Sequence, residues 1–416
     1  MRFGRTILGL GWLVAVAIWT GCSPPAAEPA ERSRVRADYE AVREEWNPFV
    51  DRLRQLRKDY ATASPEVRPD LEKQYDEMVE RGRVLENQLV DTAVIACVKQ
   101  PDENEDLSLF LGDMVATLLL REEYEDALAI GQKLIDHRIG GGDQFMTYYF
   151  TAIAAFVVGE FDLAARHFAW LDENERRVPG KETMSQRNLL KEIVREVRGD
   201  LDYYQEAWPR ERDLREREKA AGDLPRVLLR TNKGDIELEL FENEAPNTVA
   251  NFISLVEEGF YDGLTFFYVE QRLLAQTGCP EGNGTGGPGH MIRCECYRPD
   301  HRLHFRGSVS MVTQGRDTGG SQFCITFRPM RALDGKQTVF GRVVGGLDVL
   351  ARLQRRKPDP EIEEELLPKP DQILEATVLR KRPHPYEPKI ILPEEPDEIT
   401  KKIWEEFQAS QGFAPF

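Results

Sequence analysis

The chain lacks the excess of positive charge that a nucleic-acid-binding protein needs. Its 416 residues contain 55 lysines and arginines against 72 aspartates and glutamates, which gives a formal net charge of -17 at pH 7. A protein that binds DNA or RNA must neutralise phosphates with clustered Lys and Arg side chains. The composition therefore excludes a nucleic-acid partner.

The chain also has too few apolar residues for a protein that crosses a membrane several times. Hydrophobic residues make up 41% and charged residues 31% of the sequence, a balance that is typical of folded soluble domains. The length exceeds what one hydrophobic core usually serves. We therefore expect two or more domains.

The N-terminal apolar run, residues 6–20, is shorter than the roughly 20 apolar residues that a membrane-spanning helix needs. Two arginines precede it and a small residue follows it, which is the layout of a secretory signal over residues 1–21. The export signal predicts a location outside the cytoplasm. A stretch rich in Ser, Pro, Ala and Glu follows, and we interpret residues 22–35 as a flexible tether.

The end of this signal resembles the lipobox of bacterial lipoproteins, because it reads Thr-Gly-Cys up to Cys22. The resemblance implies that Cys22 is lipidated and that the chain is anchored on the periplasmic side of a bacterial membrane, through the lipid only. Trp19 stands where such proteins usually have an aliphatic residue. Secretion without a lipid is therefore the alternative.

Residues 36–220 are predicted to be helical, because apolar residues recur at helical spacing between charged ones. Pro65 and Pro69 interrupt the first part of this pattern, so two long helices are expected to fold back as an antiparallel pair.

Two later segments share an offset of 37 residues, which aligns Tyr124 with Phe161 and Ala127 with Ala164. An aromatic followed three positions later by a small residue resembles the tetratricopeptide repeat, and we expect a repeat pair at about residues 106–175. Its function is open between a groove for a partner's peptide and a helical spacer.

Residues 226–382 begin with alternating apolar and polar residues around an Asn-Lys-Gly turn, which predicts a β-hairpin, followed by an amphipathic helix that starts at Pro246. The sequence from residue 231, TNKGDIELELFENEAPNTVANFISLVEEGFYDGLTF, resembles the opening of a cyclophilin, a peptidyl-prolyl cis-trans isomerase. Glycine-rich and Gly-Ser-Gln-Phe motifs further along keep the family's order up to a closing strand at residues 373–378. The resemblance implies a closed β-barrel with covering helices.

The resemblance also implies an active site, in which an arginine in a Phe-His-Arg-Val stretch hydrogen-bonds the substrate near the prolyl amide. Residues 266–269 read Phe-Phe-Tyr-Val here, so Tyr268 occupies the arginine position. It offers one neutral hydrogen-bond donor in place of a positively charged guanidinium with several donors. The family's Trp and His positions hold Ala332 and Gln337. Weakened catalysis is therefore expected. The other positions that the resemblance assigns to peptide binding are Phe266, Leu273, Leu274, Gln276, Val312, Thr313, Gln322, Cys324 and Leu333.

Cysteines and histidines crowd one part of this region. In an oxidising compartment Cys279 could pair with Cys294 or Cys296. Weak candidates for a zinc site are Cys294, Cys296, His301 and His304, although their spacing matches no metal motif. Unlinked thiols are the favoured alternative, and we expect neither a metal nor a cofactor.

Together these patterns predict a multidomain α plus β protein that binds proline-containing peptides or unfolded envelope proteins. The helical repeats would bind a protein partner if they form a groove rather than a spacer. The alternative is a non-enzymatic interaction scaffold that uses the repeats and a degenerate barrel. An apolar helical stripe is expected in a C-terminal tail, residues 383–416.

Overall fold

The computed structural model describes residues 34–64, 66–99, 104–139, 144–174, 184–358 and 367–392. The predicted signal, Cys22 and the predicted tail stripe lie outside these residues. Among the residues that are described, none of the helices combines the length and the apolarity needed to cross a bilayer.

The first half of the described chain is helical, as the apolar spacing predicts. Its helices are α1 (Arg34–Thr62), α2 (Arg68–Lys99), α3 (Glu105–Leu120), α4 (Tyr124–Asp136), α5 (Gln144–Val158), α6 (Phe161–Asn174) and α7 (Met184–Ala221). Helices α1 and α2 are the two long helices expected on either side of Pro65. Leu53 and Leu56 of α1 share a small apolar cluster with Tyr75 of α2. Pro69 lies in the first turn of α2, where a missing N–H breaks no helical hydrogen bond.

Helices α3 to α6 form two successive hairpins, and the 37-residue offset relates them. Tyr124 is the first residue of α4 and Phe161 is the first residue of α6. Both aromatic side chains are buried, and Ala127 and Ala164 are fully buried one turn further on. The small residues therefore sit where the helices pack closely, as the alignment predicts.

The second half is built around an antiparallel sheet. Its strands are β1 (Arg226–Thr231), β2 (Gly234–Leu240), β3 (Tyr268–Glu270), β4 (Leu274–Thr277), β6 (Ser308–Met311), β7 (Phe323–Thr326), β8 (Thr338–Gly345) and β9 (Ile373–Arg380). Across the sheet, hydrogen-bonded neighbours follow the order β3-β4-β7-β6-β8-β2-β1-β9. The predicted hairpin of β1 and β2 pairs Leu229 with Ile236. Isolated bridges join Thr265 to Gln372 and Val269 of β3 to Arg356.

One face of the sheet holds the core of this half. Alternate residues such as Val269, Ala275, Val309 and Ile325 are almost fully buried in it. Helix α8 (Pro246–Glu257) covers the core and inserts Phe252 between aromatic rings. Because side chains alternate between the two faces of a strand, the residues next to these point to the opposite face.

The helices and the sheet share a buried interface. Phe305, from the loop before β6, belongs to the core of the helical half, with its ring 5.3 Å from Tyr204 and 5.2 Å from Trp208 of α7. Arg302, in the same loop, is 3% exposed and ion-paired to Glu211 and Glu218 of α7. The two halves therefore pack as one body along α7.

The chain continues to pack on the sheet half beyond residue 382, the predicted end of that region. Tyr386 is buried in its core and donates a hydrogen bond to Glu242. Strand β10 (Ile390–Ile391) pairs with β5 (Met291–Ile292) in a separate two-stranded sheet. A short helix, α9 (Leu347–Arg352), and a 3₁₀ turn, Arg331–Leu333, complete the elements used below.

Candidate active site

A row of four side chains crosses the outer face of the sheet. Tyr268 of β3 pairs with Gln276 of β4, Gln276 pairs with Cys324 of β7, and Cys324 pairs with Ser310 of β6. Directly paired residues of antiparallel strands project on the same side, with their Cβ atoms about 5 Å apart. The sheet register therefore brings Tyr268, Gln276 and Cys324, three of the predicted site residues, together with Ser310, which the sequence interpretation missed.

Gln276 is held in place by Gln322, a second predicted site residue. The Gln276 Nε2 donates to Gln322 Oε1 at 3.0 Å. Gln322 in turn donates both of its amide hydrogens, to the carbonyls of Gly284 and Gly286 at 2.8 Å each. Every polar atom of the Gln322 amide is thus engaged inside the protein, and the Oε1 atom of Gln276 is the acceptor left for a bound peptide.

The glycine-rich loop that fixes Gln322 is itself fastened to Cys279. The backbone N–H groups of Gly284 and Gly286 each donate to the Cys279 Sγ at 3.2 Å. Burial alone would raise the pKa of this thiol, but backbone N–H groups outweigh it and hold the pKa of Cys279 below its usual value. Cys279 thus supports the loop as a free thiol.

Tyr268 uses its only hydroxyl hydrogen within the protein. Its hydroxyl donates to the Glu270 carboxylate, which lies two residues along the same strand and therefore on the same face. Glu270 also accepts a hydrogen bond from Lys357 Nζ at 2.6 Å. Burial, followed by the bond to Glu270, raises the pKa of Tyr268 to about 12. The phenol is therefore a neutral group whose donor is already used.

The charges of Arg272 and Arg316, two arginines that could replace the missing one, act on other groups. Arg272 lies at the tip of the β3–β4 hairpin, where its backbone N–H donates to Glu122 at 2.8 Å and its charge acts on that carboxylate. The Arg316 guanidinium lies 4.9 Å above the ring of Tyr297. Burial and Glu270 together account for the raised pKa of Tyr268. Among the described residues, no arginine is a cause of the pKa shift of Tyr268.

The remaining predicted peptide-binding residues lie in different parts of the domain, and not all of them lie beside the row. Leu274 is paired with Glu270 on the outer face, and Leu273 precedes it in the hairpin. Val312 follows β6 and donates its N–H to the Gln322 carbonyl at 2.9 Å, with Thr313 next to it. Leu333 is half-buried in the 3₁₀ turn. Phe266 lies elsewhere, since its side chain is fully buried in the core.

The cysteines and histidines make separate contacts, apart from Cys294 and Cys296, which interact with each other. Cys97, Cys279, Cys294, Cys296 and Cys324 are all free thiols, so neither alternative pairing of Cys279 is formed. Within the described ranges no three His, Cys, Asp or Glu side chains come together as a metal site. Cys294 accepts a hydrogen bond from the N–H of Asp317, and His301 contacts the Arg298 carbonyl.

His304, the fourth metal candidate, lies between Asp334 and Ser310, at 2.7 Å and 2.9 Å from them. Ser310 reaches Gln337 Oε1 at 3.2 Å, which adds a further polar side chain at the end of the row. Glu270 and Ser310 could have been found from the sequence, because each lies two residues from a predicted position, Tyr268 or Val312, and shares its face in an extended strand.

Comparison with known proteins assigns the sheet half to a family. The family model "Cyclophilin type peptidyl-prolyl cis-trans isomerase/CLD" matches residues 226–378. A peptidyl-prolyl cis-trans isomerase of Helicobacter pylori is 51% identical over 131 residues, which cover 31% of this chain and 80% of that protein. The chain belongs to the cyclophilin family. Peptidyl-prolyl cis-trans isomerase B of Bacillus subtilis is 53% identical over 113 residues, which cover 27% of this chain and 78% of that protein.

Among solved structures, the chain is similar to a cyclophilin-type peptidyl-prolyl cis-trans isomerase of Cryptosporidium parvum. The identity is 28% and the TM-score 0.34, and the match covers 38% of this chain and 99% of that one. The residues that the family model matches, 226–378, lie in the sheet half.

Proposed function

We propose that the cyclophilin domain binds proline-containing segments on the outer face of its sheet and isomerises the prolyl bond weakly. Prolyl isomerisation breaks no covalent bond, and the barrier of roughly 18–20 kcal/mol comes from amide resonance. A catalyst lowers it by stabilising the twisted amide electrostatically. The row from Tyr268 to Ser310, with the Gln276 amide held by Gln322, supports a peptide-binding face.

One observation carries the proposal of weak turnover, namely that the Tyr268 hydroxyl donates to Glu270. A hydrogen bond from a charged donor is about twice as strong as one from a neutral donor. Tyr268 has no charge, and its single donor is used by the protein itself. The stabilisation that the family's arginine supplies is therefore missing at this position.

Replacing Tyr268 tests the proposal. In Tyr268→Arg we expect the kcat/KM for a proline-containing tetrapeptide to rise at least tenfold, because about 1.4 kcal/mol of added transition-state stabilisation is a factor of ten. A guanidinium has five donors, so one bond to Glu270 leaves others for the peptide. The measurement is a protease-coupled isomerisation assay on the full-length chain.

Tyr268→Phe is the matched control. Because the phenol hydrogen is already bonded to Glu270, its removal is expected to change kcat/KM less than twofold. A large loss of activity in Tyr268→Phe would show that the phenol acts on the substrate and would sink the proposal. Rates equal to the uncatalysed rate in the wild type and in Tyr268→Arg would favour the scaffold alternative.

We further propose that the chain acts in the cell envelope, anchored through Cys22, on proline-containing segments of exported proteins. The signal-like start of the sequence supports this location, and fractionation of cells that express the chain tests it. The two related hairpins support a tetratricopeptide-like pair with a protein partner. The isolated bridge between Thr265, which precedes β3, and Gln372, which precedes β9, supports a closed barrel.

A further inference from the structure

Helix α7 reaches the candidate active site through two tyrosines that lie side by side. The Tyr203 hydroxyl donates to Asp334 Oδ2 at 3.1 Å. The Tyr204 hydroxyl donates to the carbonyl of His304 at 3.0 Å and lies 3.5 Å from the same Asp334 oxygen. Asp334 and His304 belong to the cyclophilin domain, so these bonds cross the interface between the two halves.

Asp334 fixes the imidazole ring of His304. Its Oδ1 atom accepts from the His304 backbone N–H at 2.8 Å and contacts the ring Nδ1 at 2.7 Å. A carboxylate can only accept here, so Nδ1 carries a hydrogen and the ring orientation is set. The second ring nitrogen, Nε2, is then aimed at Ser310 Oγ at 2.9 Å.

The Ser310 hydroxyl, which has one hydrogen, lies between His304 Nε2 and Gln337 Oε1, so its position links the two side chains. Its hydroxyl lies 3.2 Å from Gln337 Oε1, and the Cys324 Sγ lies 3.9 Å from the same atom. Ser310 and Cys324 are paired members of the row, so Gln337 lies at its end. Tyr204, His304 and Ser310 are fully buried. Water therefore does not compete for these bonds, and each group has few alternative partners.

We infer that α7 positions the Gln337 side chain in the peptide site through Asp334, His304 and Ser310. In this arrangement Gln337 contacts the peptide, while Tyr203, Tyr204, Asp334 and His304 are positioning residues. The helical half then determines the affinity of the isomerase site for its peptide. The inference about peptide affinity rests on the proposed function, namely that this face binds proline-containing peptides.

The double variant Tyr203→Phe/Tyr204→Phe tests the inference. It removes both hydroxyls and keeps both rings, so the packing of Tyr204 against Phe305 and Phe161 is retained. The matched control is Tyr39→Phe, which alters a buried tyrosine of α1 that packs against Phe110 of α3.

Two signals are measured on the full-length chain. The first is the side-chain amide resonance of Gln337 after glutamine-selective ¹⁵N labelling, assigned by its loss in Gln337→Glu. The second is the Kd of the peptide Ala-Ala-Pro-Phe, obtained from titration of the same sample. In the double variant we expect the Gln337 resonance to shift and the Kd to rise three- to tenfold, while Tyr39→Phe changes neither.

A Gln337 resonance that stays in place in the folded double variant would overturn the positioning role. A resonance that moves while the Kd stays constant would overturn the role in affinity. If the wild type binds no peptide at all, the proposed function fails, and the Gln337 resonance by itself still decides whether α7 positions this side chain.

Discussion

At the scale of single residues, burial determines the charge of His167 on α6. Its side chain is 5% exposed, and Nε2 lies 2.9 Å from Gln132 Oε1 of α4. Burial, reinforced by the charge of Arg166, lowers the pKa of His167 to about 4. The folded state therefore holds this ring neutral, while the unfolded chain takes up a proton near pH 6.5.

This shift predicts an acid-sensitive helical half. Between pH 6.5 and pH 4 the unfolded chain binds a proton at this histidine and the folded chain does not. The folded state is therefore progressively destabilised as the pH falls from about 6.5 towards 4. Between pH 7 and pH 5 we expect His167 to account for a loss of about 2 kcal/mol in the free energy of unfolding. Urea unfolding of wild type and His167→Gln at both pH values measures it.

His137, an exposed histidine at the end of α4, provides the control. His137→Gln should keep the full pH dependence of the wild type, whereas His167→Gln should lose about 2 kcal/mol of it. Equal pH dependence in wild type and His167→Gln would contradict the prediction.

Residue-scale features of the site were only partly predictable. Period-two alternation is enough to place Glu270 beside Tyr268. The partner of Glu270 on its other side, Lys357, is 87 residues away in the chain. Nothing in the local pattern of either segment indicates the contact between Lys357 and Glu270. The hydrogen bond from Tyr268 to Glu270 is likewise known only from the structure.

At the scale of elements, a glycine permits the close approach of α4 and α5. A Cβ atom at Gly131 would lie 2.1 Å from Thr151 Oγ1, and that hydroxyl is buried and donates to the Thr147 carbonyl at 2.6 Å. Cβ atoms do not approach other heavy atoms so closely. The two helices would have to move apart or Thr151 would have to give up its hydrogen bond.

We therefore expect Gly131→Ala to destabilise the chain by about 1–3 kcal/mol, measured as the free energy of unfolding in urea. Gly199→Ala is the contrasting variant, because Gly199 lies on an exposed part of α7 with no atom within 4 Å of the added Cβ. There the alanine should stabilise by roughly 0.5–1 kcal/mol. The prediction fails if both variants change stability in the same direction.

Helical periodicity and the shared offset of 37 residues were enough to predict these hairpins, because both depend on contacts between neighbouring elements. The strand order β4-β7-β6 joins segments that are far apart in sequence, and the local sequence pattern does not predict it. The left-handed backbone of Arg272, with φ 63°, had no sequence signal, since glycine is the usual residue there.

At the scale of the whole molecule, Arg302 joins the cyclophilin domain to α7. Its guanidinium contacts Glu211 at 2.9 Å and Glu218, and it lies 3.8 Å above the ring of Phe241. Glu211 and Glu218 are buried as well. Removing one partner of a buried ion pair leaves charges without compensation in a low-dielectric region.

Arg302→Met is accordingly expected to lower the free energy of unfolding by about 3 kcal/mol, with a corresponding drop in the urea midpoint. Arg298→Met, four residues earlier, removes a surface pair with Asp300 and should cost less than about 1 kcal/mol. Similar midpoints for the two variants would show that the interface does not depend on Arg302.

This interface could not be predicted from the sequence, because the charge run of α7 is equally typical of a solvated helix. The acidic residues Glu211 and Glu218 lie among many others of the same kind, and only the fold shows which of them meet Arg302.

The insertion of Phe305 among the rings of α7 has a practical consequence for preparing the isomerase domain. A fragment that starts at Arg226, where the family match begins, would expose this aromatic side chain to water and would remove Glu211 and Glu218 from Arg302. The start of the family match is thus the wrong place to divide this protein, and a fragment that contains the isomerase domain should include α7.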